Sequence, residues 1–300
     1  MHIRLIFYCL LFLITNNAFS QDIDQLLNEA THYSTDYTTA TFKSTRIING
    51  HSIERMQEGQ LDVRFSHRFG TINEGSYTLW GLDEANVHFS GEYGITNWLM
   101  AGIGRGTYEK TYDGFLKFSW LRQSTGDIEM PVSVSFLLAS SVNTLLPADM
   151  GLKGETVYVG DRFSYIYQLL VARKFSESFS FEINPTVVHR NIVATALDPN
   201  DMFAVGFGGR IKLSKRVSFN GEWYHVFPPL RNYKSVPNYD PIAIGFDIET
   251  GGHVFQIMFT NSLAMTEKGF ITETTGQWSK TNIHLGFNIS RVFGLTKHKN

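Results

Sequence analysis

From Gln60 onward, apolar and polar side chains alternate with a period of two, in segments of about ten residues separated by turn-forming stretches. In 217–227, Val217, Phe219, Trp223 and Phe227 share one face, and Ser218, Asn220, Glu222 and Tyr224 share the other. In 281–293, Ile283, Leu285, Phe287 and Ile289 oppose Asn282, His284, Asn288 and Ser290. In 60–69, Leu61, Val63 and Phe65 oppose Asp62, Arg64 and Arg68. Period two belongs to β-strands, whose successive side chains point to opposite faces. The pattern predicts strands over 60–69, 86–94, 99–108, 114–122, 131–141, 163–173, 179–189, 203–213, 217–227, 242–250, 253–262 and 281–293.

The connections alternate as well. The joints at 95–98, 175–178, 214–216 and 251–252 are short, while 70–85, 142–162, 190–202, 228–241 and 263–280 are long. Counting twelve strands puts the long loops on one side and these short turns on the other. Short periplasmic turns with longer outside loops are the outer-membrane barrel pattern, and both termini then fall on the periplasmic side. The short joint at 109–113 is the exception on the loop side. No apolar run after residue 20 reaches the ~18 residues of a transmembrane helix. A membrane location therefore requires a closed barrel, in which every backbone group is paired inside lipid. The expected fold is all-β: an antiparallel transmembrane β-barrel of about twelve strands over 59–294, followed by a short tail at 295–300. The rival architecture is a soluble sandwich whose apolar faces pack on each other.

Composition agrees with a wall that is oily on one face and wet on the other. Aromatics reach 14%, with 24 Phe, yet charged residues are 18% and the mean hydropathy is slightly negative at −0.13. Polar faces turned inward would give a mixed-charge lumen lined by Asp62, Arg64, Arg68, Glu92, Arg105, Lys117, Glu182, Arg210, Lys212, Glu222, Asp247 and Glu249. Against lipid at mid-bilayer an Arg or Lys costs ~2–4 kcal/mol. Tyr93, Trp98, Trp120, Trp223, Tyr224 and Phe227 lie near strand ends and are candidates for the aromatic girdles.

Residues 1–20 read as a signal peptide: Arg4, an apolar run over 5–14, and small residues Ala18 and Ser20 before a cleavage that leaves Gln21 first. The single cysteine, Cys9, would leave with it, so the mature chain would hold no disulfide and no thiol chemistry. The near-balance of 26 basic and 28 acidic residues argues against nucleic acid as a partner. Residues 21–58 form a leader of different texture. Ile23, Leu26, Leu27 and Ala30 sit at helical spacing, and 41–48 has strand character with a partner near Ile53. Whether this leader lies outside the barrel or plugs it is left open.

Several stretches together resemble an uncharacterised family of Bacteroidota β-barrel proteins, a domain of unknown function. They are TFKSTRIINGHS at 41–52, LDVRFSHRFG at 61–70, EYGIT at 92–96, GIGR at 102–105, GFDIETGGH at 245–253 and TNS at 260–262. The resemblance implies an outer-membrane barrel and carries no catalytic residue. The last strand, 286–293, also looks like the C-terminal signal read by barrel-assembly machinery, although the chain continues past Phe293.

Enzymatic motifs are sparse. Gly102, Gly104 and Gly106 lack the GxGxxG spacing and sit in a strand. The ten histidines include no HExxH, and a metal site would need His51, His67, His88 and His189 to converge in space. A lipid hydrolase would need a serine beside His189 or His225 on the lipid face, and none is evident. Asp247 and Glu249 share one strand face, where the expected role is to neutralise an opposing Arg such as Arg210. No cofactor or metal is expected. The expected partners are outer-membrane lipid, the assembly machinery and a small polar solute; a docking protein for a periplasmic partner is the alternative.

Overall fold

The computed structural model describes residues 34–152, 154–193, 198–227 and 238–295. The expected signal peptide, the Ile23–Ala30 helix and most of the tail lie outside these residues.

Twelve strands close into an antiparallel barrel, each paired with its neighbours in sequence and the last with the first. They are β1 (Gln60–Thr71), β2 (Ala85–Gly94), β3 (Leu99–Gly106), β4 (Tyr112–Leu121), β5 (Ser133–Val142), β6 (Phe163–Lys174), β7 (Phe179–Arg190), β8 (Asp201–Lys212), β9 (Val217–Phe227), β10 (Ile242–Thr250), β11 (His253–Thr260) and β12 (His284–Gly294). All twelve predicted strands are present, with ends shifted by up to three residues. Closure leaves no unpaired edge, which is what a bilayer demands of a sheet. The joint between β3 and β4 stays short because Glu109 and Lys110 take positive φ, at 50° and 48°, and reverse the chain at once.

The two wall faces differ as the periodicity requires. Outside, large apolar side chains are exposed and touch across strands: Phe207 stacks on Trp223 at 5.3 Å and His67 on Phe287 at 5.1 Å. Trp98 and Trp120 are exposed at the turn end. Tyr224 departs from its expected place in a girdle. It points inward and is 1% exposed, because the parity that turns Trp223 to lipid turns its neighbour to the lumen.

The lumen is filled from both ends. From the turn end, residues 41–53 loop into the barrel, almost entirely buried. Their hairpin is short: Ile47 N–H donates to the Gly50 carbonyl at 2.9 Å and Ser52 N–H to the Thr45 carbonyl at 2.9 Å. The strand expected over 41–48 is therefore a bent segment with a single bridge between Arg46 and His51. From the loop end, residues 261–276 fold inward and carry a six-residue helix, α1 (Glu267–Thr272), every residue of which is buried. No local periodicity announces six residues of helix, so 263–280 reads as plain loop in the sequence. Outside the turn end, Asp36–Tyr37 pairs with Ser124–Thr125.

Candidate functional site in the barrel lumen

The inner wall holds the N-terminal plug through its main chain. A bent segment inside a barrel has no strand partner, so its N–H and C=O groups must find other ones. Glu222 of β9 accepts three in a row, from Ile48 at 3.1 Å, Asn49 at 2.9 Å and Gly50 at 3.1 Å. Glu182 of β7 takes Ile53 N–H at 2.7 Å. On the donor side, Lys117 of β4 gives bonds to the carbonyls of Ser52 at 3.0 Å and Glu54 at 2.9 Å. Arg210 of β8 donates to the carbonyls of Ala40 at 2.6 Å and Thr41 at 3.1 Å. Gln256 and Asn288 donate to the carbonyls of Ile47 and Ile48.

Side chains add a second layer. Arg64 donates to Ser44, Thr45 and its strand neighbour Asp62, at 2.8, 2.8 and 2.9 Å. Arg68 reaches Asn49 at 2.8 Å and Asn288 at 3.0 Å. Glu92 accepts from Thr45 at 2.5 Å. Asp247 accepts from Gln256 at 2.9 Å, and Arg210 acts on it as a nearby opposite charge without a direct bond. Glu249 sits at the turn-end rim in an ion pair with Lys43. Lys212 is at the same rim, 3.8 Å from Glu177.

Arg105 is a correction. On β3 the inward residues are Met100, Gly102, Gly104 and Gly106, and Arg105 is on the outer face with Ile103. Glycine carries no polarity signal, so the charge of Arg105 pointed to the wrong face. Those inward glycines make room: a Cβ on Gly102 would strike the Phe115 ring. The same holds at Gly208, where a Cβ would collide with Ile47 of the plug.

The two plugs meet at Arg46. Its guanidinium donates to Glu267 of α1 at 2.8 Å and lies 3.5 Å from Glu92 on the wall. Burial alone would lower the Arg46 pKa, but Glu267 and Glu92 outweigh it and hold it above the ordinary value. Burial pushes the Glu267 carboxyl up, and Arg46 offsets this only in part. His51 lies 3.7 Å from Glu267 and packs edge-on against Phe115 at 4.4 Å. Burial, then Arg46, Lys117 and Arg64, hold it well below its ordinary 6.5, so it is neutral.

The cavity left between the plugs is ≈ 20 Å³, room for about one water. Wider vestibules open at the ends: ≈ 680 Å³ at the turn end beside Lys43, Glu54, Arg55 and Arg122, and ≈ 220 Å³ at the loop end beside Glu109, Arg190, Lys268 and Glu273. In the latter, Lys268 bridges Glu109 at 2.6 Å and Glu273 at 2.5 Å.

The histidines do not converge. His51 and His88 are in the lumen, His67 and His189 on the outer face, and among the described residues no cluster of three or more candidate ligands could hold a metal. His88 instead pairs with Asp113 at 2.7 Å. His189 and His225 face outward and bond Asp201 at 2.7 Å and Asp240 at 3.0 Å.

The family model of the membrane bound beta barrel domain, DUF5777, matches residues 42–293. The chain belongs to this family. The matched span of this DUF5777 protein begins within the plug and runs through β12, so the plug is part of the family domain. No curated protein matches it. Among solved structures, it is similar to the NanC porin, at 9% identity and a TM-score of 0.48 over 79% of this chain and 100% of that one. It is also similar to the KdgM porin in complex with disordered oligogalacturonate, at 6% identity and 0.46 over 78% and 99%. An outer membrane channel from Pseudomonas putida F1 gives 12% identity and 0.45 over 80% and 98%.

Proposed function

We propose that this DUF5777 protein is a bacterial outer-membrane channel for a small polar solute, held closed by two inserted segments. The turn end would face the periplasm and the loop end the outside, following the usual asymmetry of such barrels. One observation carries the reading. Twelve strands enclose space for two lengths of backbone, and the wall around them is charged. A purely structural barrel can fill its interior with its own wall side chains. Here the volume is occupied by peptide held through hydrogen bonds and ion pairs, which water can replace.

Displacing residues 41–58 would unite the turn-end vestibule with a passage lined by Asp62, Arg64, Arg68, Glu92, Lys117, Glu182, Arg210, Glu222 and Asp247. Both signs are present, which suits a zwitterionic or neutral polar solute better than a strongly charged one. Single-channel recording in planar bilayers tests this. The full-length chain is expected to be silent or to open briefly, and a chain lacking residues 34–58 to open more often, with the buried 261–276 segment as the remaining barrier. An Arg46→Ala, Glu267→Ala pair, which unclasps the plugs without deleting either, should lengthen the openings. No current from any of the three would reject a channel.

A docking role is the second reading. It is favoured by the charged turn-end vestibule and by the short pairing of 36–37 with 124–125 that fixes the leader beside it. Crosslinking in cells that recovers no recurring envelope partner would remove it.

A further inference from the structure

The outer wall carries several charges: Arg173 and Arg291 face outward at the turn end, each over a phenylalanine ring, and Arg105 faces outward at the loop end, above an apolar groove. Arg105 is the penultimate residue of β3 at the loop end, and its side chain faces the membrane. Its guanidinium lies over the Tyr112 ring at 5.3 Å and donates to the Gly106 carbonyl at 3.3 Å. Among the described residues, no carboxylate is within ion-pair distance of it. Several of its N–H donors are therefore left to whatever occupies the bilayer beside it. An Arg at mid-bilayer would cost ~2–4 kcal/mol, falling to ~0–1 near the interface where lipid headgroups lie. The end of a strand is the interfacial position.

Directly beneath it the wall is hollow. Across the sheet the row containing Arg105 reads Phe65, Phe89, Arg105, Tyr112. One step nearer mid-membrane, about 7 Å along the strands, the row reads Val63, Gly91, Ile103, Gly114. Two glycines thus flank Ile103, which stands 75% exposed. A Cβ at Gly91 would approach nothing closer than 3.9 Å. The result is a groove of ≈ 590 Å³, walled by Val63, Phe89 and Ile103 and closed at its upper end by Arg105 and Tyr112.

We propose that this groove binds a phosphate-bearing membrane lipid, with the Arg105 guanidinium on the phosphate and an acyl chain lying over Gly91 beside Ile103. The planar guanidinium fork matches two phosphate oxygens. The glycine hollow takes a flexible chain that a flat wall of Phe and Leu would only touch edge-on. An apolar occupant alone would leave Arg105 without a counter-charge, and a free phosphate would leave the groove empty. The inference does not depend on whether the lumen conducts.

Native mass spectrometry of the full chain in a neutral detergent tests it. The protein is titrated with phosphatidylglycerol and, separately, with a neutral diacylglycerol glycolipid of the same acyl chains. Wild type is expected to retain the phosphate-bearing lipid about tenfold better, the scale of a charge-assisted bond. Arg105→Gln should bring the two lipids to parity. Gly91→Phe, which fills the hollow from the membrane side, should lower retention of both. Arg105→Gln with its preference intact, Gly91→Phe with no effect, or a protein dimer in place of bound lipid would each overturn the proposal.

Discussion

The two plugs solve the same problem in opposite ways. Both place backbone inside a barrel whose wall has no spare ladder to offer. In α1 the chain satisfies much of itself: Phe270 N–H bonds the Thr266 carbonyl and Glu273 N–H the Gly269 carbonyl, both at 2.9 Å. Thr272 and Thr274 hydroxyls cap the carbonyls of Lys268 and Phe270. What α1 gives the wall is mostly oil, with Phe270 and Ile271 packed among Ile166, Val188, Met202, Tyr224 and Val226, and one ion pair from Lys268 to Glu109. Residues 41–53 have no such self-sufficiency. Phe42, Ile47, Ile48 and Ile53 pack on the wall, but the main chain depends on Glu222, Glu182, Lys117 and Arg210. The main chain of one plug is held largely by itself, that of the other by charged side chains of the wall. The second is the segment that solvent and protons can loosen.

The largest effect separating them should come from Phe270→Ala. Emptying a fully buried aromatic site costs about 3–5 kcal/mol, read as a lowered urea midpoint in detergent. Hydrogen exchange should then deprotect 266–274 and leave 45–53 protected. Glu222→Gln should do the reverse at about 1.5–3 kcal/mol, the cost of weakening charge-assisted bonds to buried N–H groups. Exchange would open at 47–50, with α1 unchanged. If either variant deprotects both segments equally, the plugs are one cooperative unit and the contrast fails.

A smaller and sharper effect belongs to His51. Neither ring nitrogen has a hydrogen-bond partner among the described residues, and the folded pKa lies well below 6.5. Below pH 6.5 the unfolded chain takes up a proton that the folded chain refuses, so stability is lost as pH falls. His51→Phe removes the term. The variant should gain on wild type by up to about 1.4 kcal/mol per pH unit below 6.5, in paired urea titrations from pH 7 to 5. Comparing the difference isolates His51 from Glu54 and Glu267, whose burial-raised pKa values act in the opposite sense. A constant gap across that range would show that His51 does not titrate on unfolding.

The barrel was legible because period two is a long-range, redundant signal. Shifting a strand by one residue exposes every charge on it, so β1, β9 and β12 could be oriented from their own letters. Legibility failed where that redundancy is absent. On β3 the inward face is Met and Gly, so one outward Arg misled. Tyr224 sits near a strand end like a girdle residue, yet its phenol belongs to the lumen, beside Phe270 at 5.1 Å. The plug was harder still. Residues 41–53 satisfy their backbone through side chains from β4, β7, β8, β9, β11 and β12, and that information is spread over the whole chain. Its carboxylate partners Glu182 and Glu222 were visible as lumen candidates, but nothing local says that they bind peptide rather than water.

The long reach of those contacts bears on biogenesis. Asn288 closes on Ile48 across 240 positions of sequence, and Glu222 finds its three amides some 172–174 positions from where they are encoded. A segment that precedes every barrel strand in sequence is thus among the last to gain its ligands. It has no full set of partners until nearly every strand has been laid down, because they come from all around the wall. A stopper ligated by six strands can be seated only once those strands stand in register, so its capture reports a completed wall.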